Sequence, residues 1–89
     1  MHNMNLEDVF SSKPRVKILK LIYTLGQLNV TKVSREIKMS YAATTQHLKL
    51  LESEGILLER MYGRVKMYRF NEASIKAKAV ADLIEAWEK

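Results

Sequence analysis

Apolar residues recur along this chain with two different periods, and the change between them falls at Gly55. Before it the spacing is helical. Ile18, Leu19, Ile22 and Leu25 mark the core face of a helix that starts near Ser12, carries Pro14 in its opening turn and stops at Gly26. Thr31, whose hydroxyl can cap, opens a second helix with Val33 and Ile37 one turn apart. Ser40 can cap a third, and the intervening Lys38-Met39 leaves room only for a tight corner with Met39 tucked between the two helices. In that third helix Thr44, His47, Leu48 and Leu51 follow the i, i+3, i+4, i+7 rule and form the inward face.

After Gly55 the run Ile56-Leu57-Leu58 is β-type, Tyr62-Gly63-Arg64 is a turn, and Val65 to Phe70 alternates. Lys66, Tyr68 and Phe70 share one face of that strand; Val65, Met67 and Arg69 share the other. Leu28-Asn29-Val30 is expected to add a third strand. Asn71 can cap a last helix in which Ile75, Ala79, Val80, Leu83, Ile84 and Trp87 recur at helical spacing. The predicted fold is therefore α+β but mostly α. It is a helix-turn-helix with a β-hairpin wing and an additional C-terminal helix, in one domain over 1–89 with its core at 11–70.

This order suits placing the third helix in a DNA major groove. Its outward residues, Tyr41, Ala42, Thr45 and Gln46, are small or hydrogen-bonding rather than acidic, with Lys49 beside them. Gln can pair bidentately with adenine, and Ala or the Thr methyl can touch a thymine methyl, so these four are the base-reading candidates. Thr31, Lys32, Arg35 and Lys49 are the phosphate candidates, and Arg64 and Lys66 of the hairpin can lie on phosphates or enter a narrow minor groove. A solvated hairpin with ordinary surface cations is the plainer reading of the wing.

The formal net charge of +5 gains meaning from its placement. Lys13, Arg15, Lys17 and Lys20 precede the helix pair, and Arg60, Arg64, Lys66 and Arg69 follow it. Glu52 and Glu54 sit at the far end of the reading helix, where the chain turns away from DNA. Such an arrangement clamps a nucleic-acid backbone.

These residues resemble the winged helix-turn-helix transcription regulators, in particular the arsenic-resistance-regulator-like and multiple-antibiotic-resistance-regulator-like groups. Ser12-Lys13-Pro14-Arg15-Val16-Lys17-Ile18-Leu19, Thr45-Gln46-His47-Leu48, Leu51, the exit Gly55-Ile56-Leu57, Gly63 and Tyr68 carry the resemblance over most of the chain. Small cysteine-free regulators of this kind are similar to ones found in archaea and their viruses. One departure is Lys38, in a corner position where many relatives have glycine; a left-handed backbone there would cost about 1 kcal/mol or more. Another is composition: metal-sensing members use cysteine thiolates or histidine and carboxylate clusters, whereas this chain has no cysteine and only His2 and His47.

His47 is read as a packed or hydrogen-bonded structural histidine, with a phosphate contact as the next possibility, because no second ligand stands near it in the pattern. No phosphate loop, nucleophile elbow or histidine-carboxylate constellation points to an enzyme, and no metal or cofactor is expected. No apolar run is long enough for a signal peptide or a membrane span, so the expected location is the cytoplasm.

The core of such a fold is already closed by three helices and the hairpin. The apolar last helix therefore points to a second copy of the chain, with Ile75, Val80, Leu83, Ile84 and Trp87 as the expected dimer interface. The alternative is that it folds back on its own domain. Met1 to Phe10 either joins that interface through Leu6, Val9 and Phe10 or frays. The expected function is a homodimeric, sequence-specific regulator on double-stranded DNA. Its rivals are a winged-helix module that docks on another protein and an architectural protein that coats DNA without sequence preference. Whether a small molecule controls it is not written in these residues.

Overall fold

The computed structural model describes residues 5–88. Its elements run α1 (Leu6–Phe10), α2 (Lys13–Leu25), β1 (Gln27–Asn29), α3 (Val30–Ile37), α4 (Tyr41–Ser53), β2 (Leu57–Tyr62), β3 (Val65–Phe70) and α5 (Ile75–Glu88). The order matches the predicted one, with the short helix α1 added in front.

Local chemistry sets most boundaries. The Ser12 hydroxyl accepts from the Arg15 N–H, Pro14 occupies the first turn, and Gly26 closes α2 at φ 95°, a conformation few side chains tolerate. At the other end of the reading helix, Gly55 (φ 79°) lets its own N–H reach the Glu52 carbonyl while Ile56 reaches that of Leu51. These two bonds satisfy carbonyls the helix leaves open and turn the chain into β2.

The three strands form an antiparallel sheet in the order β1-β3-β2. Tyr62 pairs with Val65, so Gly63 and Arg64 make a two-residue loop, and Gly63 supplies the positive φ that such a loop needs. Leu28 pairs with Tyr68, which places the third strand one residue earlier than expected. The reason is Asn29. Its extended backbone ends the strand, and its Oδ1 accepts from the Lys32 N–H at 2.7 Å, capping α3. Asn29 rather than Thr31 is thus the cap, and Val30 becomes a buried helix residue instead of a strand residue.

Ile18, Leu19 and Ile22 of α2, Val33 of α3, Leu48 and Leu51 of α4, and Leu57 and Tyr68 of the wing meet in one core. Two expectations fail on burial. Leu25 is 53% exposed, at the last residue of α2 beside Gly26. His47 is only half-buried, at the edge of the inward face that Thr44, Leu48 and Leu51 form. The last helix is capped by Ser74, whose hydroxyl accepts from the Ala77 N–H; Asn71 instead turns back on the Ala73 N–H.

The corner between α3 and α4 keeps the left-handed backbone that glycine favours, although Lys38 occupies it at φ 59°, ψ 49°. Met39 is half-buried beneath it. Lys38→Gly should therefore raise the unfolding free energy by about 0.5–1 kcal/mol in a denaturant titration, relief of the left-handed strain being partly offset by glycine's backbone entropy. Equal or lower stability would show that the lysine side chain compensates its own backbone cost.

Candidate nucleic-acid interface

Helix α4 is held so that one face meets the core and the other meets solvent. Ser40 caps it by accepting from the Ala43 N–H, and Thr44, Leu48 and Leu51 anchor the inner side. Tyr41, Ala42 and Gln46 are exposed on the outer side, with Thr45 half-buried between them. The Thr45 hydroxyl oxygen is covered and has no hydrogen-bond partner among the described residues, so what Thr45 offers outward is not its hydroxyl. Ala42, Thr45, Gln46 and Lys49 share with Arg15 and His47 an open groove of about 510 Å³.

Arg15, which the sequence shows only as one of the cations preceding the helix pair, reaches the same groove. Its Nη1 lies 3.2 Å from His47 Nδ1 and its Nη2 donates to the Asp8 carbonyl at 2.9 Å, joining α1, α2 and α4. An arginine can only donate, so His47 Nδ1 is the acceptor of a neutral ring. Burial first, and then the adjacent guanidinium, push the imidazole below its ordinary value. His47 is a hydrogen-bonded structural histidine in this geometry.

The other candidate residues lie on α3 and on the hairpin. Thr31, Lys32 and Arg35 are exposed on α3, where Lys32 pairs with Glu36 at 3.5 Å. Arg64 is exposed at the hairpin turn. Arg35 and Arg64 have no ion-pair partner among the described residues, which leaves both guanidinium groups available to an anion.

Lys49 and Lys66 are placed differently. One oxygen of Glu59 in β2 accepts from Lys49 Nζ at 2.7 Å and from the Tyr68 hydroxyl at 2.6 Å, with Lys66 Nζ 3.7 Å away. The Lys49 bond and then the Tyr68 bond hold the Glu59 carboxyl below the usual range; the same bond raises the Lys49 ammonium. Burial, with Glu59 beside it, pushes the Tyr68 hydroxyl upward. This cluster ties the reading helix to the wing. The strand register could have placed Glu59 opposite Tyr68, but Lys49 reaches them only through tertiary packing.

The expected dimer residues divide. Val80 and Ile84 lie with Ala77 in the chain's own core and leave little surface to a second copy. Ile75 (89% exposed), Leu83 (46%) and Trp87 (80%) remain on the outside of the same helix. α5 is fastened to the body by the Tyr23 hydroxyl donating to Glu85, by Lys20 with Glu88 at 3.2 Å and by Lys76 with Glu54 at 2.8 Å. Of the N-terminal residues, Val9 is buried, Phe10 packs against the core and Leu6 is exposed. Met1 to Met4 lie outside the described residues.

A capped helix pair with an αL corner, a reading helix with an open polar face, and a basic hairpin beside it define a winged helix-turn-helix domain. Residues 12–57 match the model of the bacterial regulatory protein arsR family, and the chain belongs to that family. It is 31% identical over 84 residues to the arsenical resistance operon repressor of Escherichia coli K12, covering 94% of this chain and 71% of that protein. It is also 33% identical over 76 residues to the cadmium resistance transcriptional regulatory protein CadC homolog of Staphylococcus aureus, 82% and 63% of the two lengths. The solved structure of HlyU from Vibrio cholerae superposes with a TM-score of 0.78 at 24% identity, over 94% of this chain and 89% of that one. The protein is thus a DNA-binding transcription regulator, and its relatives are regulators rather than enzymes. Among the described residues no helix is long and apolar enough to cross a membrane.

Proposed function

We propose that this chain is a homodimeric, sequence-specific regulator that reads a near-palindromic DNA site in the cytoplasm. Each α4 enters a major groove, with Tyr41, Ala42, Thr45 and Gln46 towards the bases. The centres of the two half-sites lie about 34 Å apart. Thr31, Lys32, Arg35 and Lys49 take phosphates, and Arg64 and Lys66 bring the wing onto the backbone or into the minor groove. The observation that carries this reading is the groove on the outer face of α4, where three of the four base-reading candidates meet Lys49 in one concavity. Exposed Ile75, Leu83 and Trp87 on one side of α5 support a second copy as the partner of that face.

Two relatives are named for arsenical and cadmium resistance. Thiophilic ions favour soft thiolate ligands. The chain has no cysteine, and among the described residues no three His, Asp or Glu converge on a common point. The donor set does not fit such an ion, and we do not extend those ligands to this protein.

The base-reading role is tested on a duplex selected from a random library. Gln46→Ala should lose about 1–3 kcal/mol of discrimination at a single base pair of the selected site. Arg64→Ala should weaken all duplexes alike and reduce the salt slope by about 0.9 for one lost phosphate contact. An unchanged preference among single-base variants in Gln46→Ala removes Gln46 from the reading face, and an unchanged affinity and slope in Arg64→Ala removes the wing.

A further inference from the structure

We propose that Glu59 tempers the electrostatic part of this protein's grip on DNA, as a positioning residue that holds Lys49 of α4 and Lys66 of the wing on a single carboxylate oxygen. The inference rests on the reading above, in which both lysines face phosphates. Both ammonium groups are within 4 Å of the same Glu59 oxygen, at 2.7 and 3.7 Å, so two of the expected phosphate contacts are already partly neutralised from within. Glu59 is the better buried partner: its side chain is 20% exposed against 46% and 39% for the lysines, and Tyr68 donates to the same oxygen. The carboxylate is therefore a fixed feature of the wing, and the lysines are the groups that must leave it.

Binding to arbitrary DNA is supplied almost wholly by cations that displace condensed counterions from phosphates. A lysine that must first give up a carboxylate contributes less to that term. Base contacts made by the outer face of α4 are untouched. Glu59 thus lowers the sequence-independent term, which selected and arbitrary DNA share, and leaves the base-reading term unchanged.

The test uses the full chain, fluorescence anisotropy, a duplex selected by wild-type protein and a scrambled control. Glu59→Gln removes the charge and keeps an oxygen that accepts from Tyr68. It should bind the scrambled and the selected duplex alike about 3–10-fold more tightly, and show a salt slope steeper by about 0.9, one further phosphate. Tyr68→Phe removes the hydroxyl bond without changing charge, and should leave the affinity for both duplexes and the slope near wild-type values. If Glu59→Gln melts below the assay temperature, Glu59→Thr, neutral and suited to a strand, replaces it. Unchanged slope and unchanged scrambled affinity in the neutral variant, with Lys49→Ala weakening binding, would overturn the role of Glu59 and leave the DNA reading intact. Lys49→Ala and Lys66→Ala both without effect would instead remove the reading, and the role of Glu59 with it.

Discussion

Leu48→Ala should lower the unfolding free energy by about 3 kcal/mol, through lost burial and the cavity left behind. Leu48 is fully buried at the centre of α4's inner face, between Thr44 and Leu51, and packs into the cluster that joins α2, α3 and the wing. For a domain of this length the total stability is roughly 4–13 kcal/mol, so one truncation removes a large share of it. The melting temperature should fall by roughly 12–24 °C, read by circular dichroism. Leu48 does not line the groove on the outer face. Below its melting temperature the variant should therefore keep the wild-type salt slope on DNA. A fall of under 1 kcal/mol would mean that α4 is held by its corner and wing contacts rather than by its core face.

The double variant Leu83→Glu/Trp87→Ala should sediment as a 10.3 kDa monomer, whereas the wild-type chain, if it is the proposed homodimer, should sediment at twice that mass. Both side chains are exposed on α5, whereas Ala77, Val80 and Ile84 of the same helix hold it to the domain, so the fold should survive. Affinity for a palindromic duplex should drop about 10²–10⁴-fold, because the second half-site is no longer engaged at the effective concentration that linkage provides. Affinity for a single half-site should change little. A variant that remains dimeric would place the interface on another surface and remove α5 from it.

The split along α5 shows where sequence reasoning stops. A 3.6-residue period identifies the helix, but apolar residues on more than one side do not say which side meets the chain's own core. Val80 and Ile84 were therefore grouped with Leu83 and Trp87, and only packing separates them. The cap of α3 illustrates a different limit. Asn29 and Thr31 are both good caps two residues apart, and the choice is settled by the burial of Val30 and the pairing of β1 with β3, neither of which is local.

Where a single residue type carries the geometry, the reading was direct. Ser12 with Pro14, Gly26, Ser40, Gly55 and Gly63 each fix a boundary through a hydroxyl acceptor, a preset φ or a positive φ. The contacts that shape the candidate site link residues far apart in sequence. Arg15 meets His47 across 32 positions and Lys49 meets Glu59 across 10. Charge counts along the chain show cations before and after the reading helix, but they do not reveal that Lys49 and Lys66 share a carboxylate while Arg35 and Arg64 stand free of ion pairs among the described residues.

The most direct measurement is anisotropy of the wild-type chain on a duplex selected from a random library and on a scrambled control, across a salt series. The account predicts a two-fold symmetric selected motif, affinity at least 10³-fold tighter than for the scrambled duplex at physiological salt, and steep salt dependence on both. Equal, salt-sensitive binding to the two duplexes would contradict sequence reading and leave an architectural role, and absence of binding to either would contradict the account altogether.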